Sequence, residues 1–171
     1  MDAQNSISSS SILEQLLQTT QEGFWFIDND TVTLDVNPAM CSILARPREE
    51  IIGRKIFDFV DEENTQIFHR QISERRQGAL GNYEVALRRP DGSNVPCINN
   101  ATPVFDDDGT KVASIGLWTD ISDIKRAETA MRLAHDELDQ RVQERTTELA
   151  RAYEGLSRSE AQLRLITDNV P

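Results

Sequence analysis

Two cysteines, two histidines and a scatter of carboxylates are the side chains with which this chain could do chemistry. Their spacing argues against most of it. Cys41 and Cys97 are too few and too far apart for a disulfide framework or a metal site, and they read as reduced thiols. His69 stands between Phe68 and Arg70 on a helical pattern, and its neighbours place it at the surface. His135 lies in Ala134-His135-Asp136-Glu137-Leu138, which lacks the His-Glu-Leu-Arg-Thr-Pro pattern of a phosphoacceptor histidine. There is no phosphate-cradling glycine loop, no His-Glu-x-x-His pair, and no nucleophile beside a recognisable base. Asp106-Asp107-Asp108 is most simply a solvated hairpin turn. Catalysis is therefore not expected, and binding is the chemistry left to consider.

Composition narrows the partners. The 171 residues carry 18 basic and 29 acidic side chains, a formal charge of −11 that repels phosphate backbones and anionic lipid. Nucleic acid is not an expected partner. The acidity is uneven: residues 1–120 hold 10 basic and 19 acidic groups, residues 121–171 hold 8 and 10. An acidic domain and a nearly balanced appendage follow. At 38% hydrophobic content the chain can build one modest core, and no stretch approaches the ~20 apolar residues of a membrane span. A cytoplasmic location without direct membrane contact is expected, as the cytoplasmic part of a larger receptor if a span lies elsewhere in a longer parent.

The elements that position the binding residues follow from punctuation and periodicity. Residues 1–11 are polar and Ser-rich and are expected to be disordered. Ile12, Leu13, Leu16 and Leu17 predict a short amphipathic helix from about Ser11 to Thr20, which could cap a sheet or a second chain. Phe24 to Asp28 reads as a strand, Asn29-Asp30 as a turn, and Thr31 to Val36 as the hairpin partner. Asn37-Pro38 starts a helix through Leu44, and Pro47 opens another turn that Gly53 closes. Asp61 caps a longer helix with Ile67, Phe68 and Ile72 inward, ending at Arg75, Arg76 and Gly78. Three strands then follow: Tyr83 to Arg88, Val95 to Phe105 and Lys111 to Ile121, separated by Pro90-Asp91-Gly92 and Asp106 to Gly109. Two strands, a run of helices and three strands make an α+β domain with a mainly antiparallel sheet.

This order, with Asn37-Pro38 after the second strand, Gly53 closing a short helix, Arg89-Pro90-Asp91-Gly92 at the central hairpin and Asp120-Ile121-Ser122 at the exit, resembles a PAS domain with its C-terminal PAC part. The resemblance covers roughly residues 12–124. It implies a five-stranded antiparallel sheet with flanking short helices around a small internal pocket, the first strand pairing with the last. It implies a module for sensing or for dimerisation. By the same likeness the pocket faces are Tyr83, Val85 and Leu87, then Val95, Cys97, Asn99 and Ala101, then Ser114, Gly116 and Trp118. The period of two independently places each set on one strand face. An apolar wall with Tyr83, Cys97 and Asn99 as polar points suits a small molecule. The competing reading is that Trp118 fills the space and the core is closed.

Cofactors are weighed against the same residues. Photoactive flavin-binding relatives need a Cys in an Asn-Cys-Arg-Phe helix, whereas Cys41 lies in Pro38-Ala39-Met40-Cys41-Ser42. Haem-binding relatives use a His on the long helix, and the spacing of His69 from Gly78 does not match that of those sensors. Non-covalent flavin beside Trp118 or Trp25 is a further possibility. The cofactor stays open, with a small organic ligand or none favoured over haem or flavin.

From Ser122 onward the only glycine is Gly155 and the only proline is Pro171, so a long helix follows the last strand with no loop between them. His135, Val142, Leu149, Leu156, Leu163 and Val170 fall at heptad a positions, with Met131, Leu138, Arg145, Ala152, Ser159 and Ile166 at d. The stripe predicts a parallel homodimeric coiled coil; packing back onto the domain is the alternative. His135 and Arg145 interrupt the seam, as polar residues that set register or permit switching do. Asp120 and Ile121 at the strand-to-helix junction are the expected coupling residues, Asp120 either switching or acting as a plain cap. Leu138 to Leu149 resembles the linker helices of bacterial signalling proteins, and residues 159–171 resemble the opening helix of another PAS domain. The expected layout is a disordered 1–11, a PAS sensory domain over 12–121, a signalling helix over 122–158 and the start of a second PAS domain over 159–171. The expected role is a sensory module that dimerises and signals to an output domain further along the same chain, a histidine kinase or a cyclic-di-GMP enzyme. A ligand-free dimerisation spacer and a haem- or flavin-bearing redox or gas sensor are the alternatives.

Overall fold

The computed structural model describes residues 8–76 and 82–167, with side chains described up to 72 and from 82 to 161. The expectations for Met1–Ile7, for Gly78 as a helix end and for 168–171 lie outside the described residues.

Helix α1 (Ser9–Thr19) starts two residues before the expected Ser11, because the Ser8 side chain accepts the Ser11 N–H and caps it. Strand β1 (Gly23–Asp28) turns into β2 (Thr33–Val36), which begins later than Thr31. The reason is local: Thr31 has φ 67°, outside the extended region. Helix α2 (Pro38–Leu44) begins with Asn37 Oδ1 accepting the Met40 N–H and Pro38 in the first turn, and it stops at Ala45, which is left-handed with φ 50°. Two short 3₁₀ turns, Arg48–Glu50 and Ile56–Phe59, lead to α3 (Glu62–Arg76), capped by Asp61 Oδ1 on the Asn64 N–H at 2.9 Å. Strands β3 (Asn82–Arg88), β4 (Asn94–Phe105) and β5 (Lys111–Asp120) complete an antiparallel sheet of order β2-β1-β5-β4-β3.

The first strand does pair with the last: Trp25 lies opposite Gly116 and Gly23 opposite Trp118. On the other side of β5, Asn99 faces Trp118 and Ala101 faces Gly116. One face of the sheet carries the core, where Trp25, Leu87, Cys97 and Trp118 meet Met40, Leu44, Phe59 and Phe68 from the helices and the second 3₁₀ turn. Each of these large side chains removed from water contributes about 1.5–3 kcal/mol. Arg89 Nε donates to the Ile43 carbonyl at 2.8 Å and fastens the β3 end to α2.

Helix α4 (Ser122–Thr167) is 46 residues long and continues unbroken through Gly155. From Arg126 to Ala161 its residues are all exposed. Among the described residues no helix is long and apolar enough to cross a membrane.

Candidate functional site

The core face of the sheet does not close everywhere. A cavity of about 730 Å³ is bounded by Trp25 and Ile27 of β1, Ile56 of the second 3₁₀ turn, Phe68 and Ile72 of α3, Tyr83 of β3, Asn99, Ala101 and Pro103 of β4, and Ser114, Gly116 and Trp118 of β5. Asp28, Asn29, Thr31, Thr102, Phe105 and Lys111 also border it. The aromatic walls lock one another by edge and tilt contacts. Trp118 sits 5.6 Å from Trp25 and 5.9 Å from Phe68, and Phe68 sits 6.0 Å from Tyr83. Trp118 is thus one wall, with open volume beside it.

Of the residues expected at the pocket, Tyr83, Asn99, Ser114 and Trp118 line the cavity, together with Ala101 and Gly116. Val85, Leu87, Val95 and Cys97 share the same sheet face and are buried in packed core outside it. Cys97 illustrates the difference: burial, and then the nearby Asp120 carboxylate, push its thiol up to about 12, so it is a neutral core group. Cys41, on α2, is half-buried and also has a raised thiol pKa, first through burial. Neither cysteine borders the cavity. His69 is exposed and stacks on Phe57 at 4.8 Å rather than facing the cavity. Among the described residues no cluster of three or more His, Cys, Asp or Glu could hold a metal ion.

Sequence reasoning did not assign Ile27, Ile56 or Thr31 to the cavity, and it named Phe68 and Ile72 only as a buried stripe. In Phe24-Trp25-Phe26-Ile27 both faces are apolar, so alternation cannot say which set points inward. Only the pairing with β5 resolves it: Trp25 opposite Gly116 and Ile27 opposite Ser114 put both on the cavity side.

The polar groups at the site are unequal. Trp25 Nε1 donates to Thr33 Oγ1 at 2.9 Å, a closed buried pair. Asn99 Nδ2 donates to Tyr83 Oη at 2.8 Å, while Asn99 Oδ1 is buried without a partner. At the edge, Lys111 Nζ donates to Asn29 Oδ1 at 3.0 Å and Asn29 Nδ2 donates to the Lys111 carbonyl at 2.7 Å, joining the β1 and β5 ends.

The residues expected to couple the domain to the helix are held by hydrogen bonds within the domain. Ile121 is buried, and its N–H donates to the Pro96 carbonyl at 3.0 Å. Asp120 Oδ1 accepts the Ser122 N–H at 2.8 Å, so the carboxylate sits at the helix start. On α4 the expected seam residues Met131, His135, Leu138, Val142, Arg145, Leu149 and Leu156 are all exposed, and the side chain of Leu163 lies outside the described residues.

The model of the PAS domain matches residues 21–123, and the chain belongs to that family. Solved structures repeat the fold. The PAS domain of a protein from Colwellia psychrerythraea aligns with TM-score 0.60 at 17% identity, over 66% of this chain and 98% of that one. The PAS domain of an HTR-like protein from Haloarcula marismortui aligns with TM-score 0.53 at 24% identity, over 66% and 92%. A domain of a sensory box sensor histidine kinase/response regulator from Geobacter sulfurreducens aligns with TM-score 0.54 at 20% identity, over 65% and 93%. A search of curated proteins finds no match.

Proposed function

We propose that this chain is the sensory module of a bacterial signal-transduction protein, which dimerises through α4 and relays the state of its cavity along that helix. The observation that carries the proposal is the junction: β5 contributes Ser114, Gly116 and Trp118 to the cavity and ends at Asp120, and α4 begins at Ser122. A change at the cavity wall reaches the helix through a strand with one intervening residue, Ile121.

The apolar stripe of α4 supports the dimer. Met131, Leu138, Val142, Leu149 and Leu156 are between 56% and 78% exposed in the single chain. Five such residues in heptad register, left in water, favour association with a second copy in parallel. Polar His135 and Arg145 weaken the seam at intervals, which suits a helix pair that shifts between packings. The output is a domain further along the same chain, of histidine kinase or cyclic-di-GMP type, and the module works in the cytoplasm. The cavity's open volume favours a liganded sensor over a ligand-free spacer.

Sedimentation equilibrium of the chain tests the relay. A dimer is expected at micromolar concentration, and a monomer there would overturn the proposal. Arg145→Leu completes the apolar seam and is expected to tighten the dimer by roughly tenfold while blunting the response of the full-length protein. An unchanged dissociation constant would remove Arg145 from the seam.

A further inference from the structure

The apolar stripe of α4 contains a side chain of the type that changes charge near neutral pH. His135 stands at a heptad a position between Met131 and Leu138 at d, with Val142 at the next a. In the single chain its Nδ1 lies 3.6 Å from Asp139 Oδ1, one turn further along, and the two side chains are 70% and 71% exposed. The imidazole is therefore held out in water, on the face that the seam would cover.

In a parallel pair of helices an a side chain enters a hole formed by the preceding d and g, the same a and the following d of the facing helix. For His135 these are Met131, Ala134, His135 and Leu138 of the second copy. On its own helix Arg132 and Asp139 flank it at e positions, Asp136 and Glu137 follow at the outward b and c positions, and Glu128 occupies the previous a, two turns back. The one titratable group that the second copy brings into this layer is thus the same histidine.

Two neutral imidazoles can share a hydrogen bond across the seam, one ring N–H donating to the bare nitrogen of the other. Two imidazolium ions carry donors only and repel, and the apolar layers of Met131 and Leu138 on either side withhold water from them. A protonated ring has an alternative in the Asp139 carboxylate of its own helix, outside the seam.

We infer that α4 is itself proton-responsive: the facing His135 rings close the seam when neutral and loosen it when protonated. Association selects the uncharged ring, so dissociation takes up protons and the dimer tightens as pH rises through the histidine range. The inference rests on the dimer proposed above and gives the relay a second input that does not pass through the cavity. Composition isolates the effect. The chain has two histidines, carboxylates ordinarily titrate near pH 4, and burial holds the Cys41 and Cys97 thiols above 9.0. The other histidine, His69, is on α3 and stacks on Phe57.

Sedimentation equilibrium of the intact chain at pH 7.5 and 5.5, at one ionic strength, tests it. The dissociation constant is expected to be larger at pH 5.5 by between about tenfold and a hundredfold, since each of two rings must be kept neutral about one unit below the ordinary histidine value. His135→Val is expected to give a dimer equally tight at both pH values, and His69→Gln to leave the dependence intact. A dimer whose dissociation constant is the same at both pH values, or a dependence that survives His135→Val, would overturn the inference and leave the relay standing. A monomer at pH 7.5 would overturn the relay and this inference with it.

Discussion

Val85, Leu87, Val95 and Cys97 occupy the same face of the same sheet as Asn99, Ala101, Ser114 and Gly116, yet the first group is packed core and the second borders a cavity. The difference is one of volume at facing positions. Leu87 pairs with Val95 and Val85 with Cys97, and each pair fills its layer. Further along, Ala101 pairs with Gly116 and Pro103 with Ser114, small side chains that leave the space between sheet and helix empty. A sheet face can therefore be half core and half binding site, with Asn99 and Trp118 at the border between them.

The comparison can be broken from the packed side first. Leu87 is fully buried, so Leu87→Ala is expected to cost about 2–5 kcal/mol in urea unfolding. A loss below about 1 kcal/mol would mean that this end is as loose as the other.

Cys97 gives the same test by pH. Its folded thiol pKa is about 12 against 9.0 for the ordinary group. The folded state therefore holds the proton more tightly. Stability is full below pH 9 and falls as pH rises toward 12, by about 2 kcal/mol near pH 10.5. Cys97→Ala should lower the baseline and remove that part of the alkaline slope. An unchanged slope would show that Cys97 is not the group responsible.

At the border, Gly116→Ala places a methyl 2.7 Å from Trp118 Nε1 and is expected to destabilise by about 1–3 kcal/mol. The smallest effect belongs to the open end. Ala101→Leu extends into empty volume and is expected to change stability by less than about 1 kcal/mol in either direction. A loss as large as that of Leu87→Ala would mean that the cavity closes in solution.

The asymmetry between the two ends also explains what the sequence disclosed. Strand and helix positions were legible because their signals are local: Asn37-Pro38, Asp61 and Pro90-Asp91-Gly92 act on their own neighbours. Alternation correctly put Tyr83, Cys97, Asn99 and Trp118 on one face. It carries no information about depth along that face, so Cys97 and Asn99 looked alike. Depth depends on which residues lie opposite and on α3 above, through contacts far apart in sequence. The start of β2 was missed for a different reason, since nothing in Thr31 announces a positive φ.

The chain has two tryptophans, and both form walls of this cavity, with ring centres 5.6 Å apart. Its indole absorption and emission therefore arise entirely at the site. Whatever enters or leaves the cavity beside them is reported in the near ultraviolet without any label, from the unmodified protein.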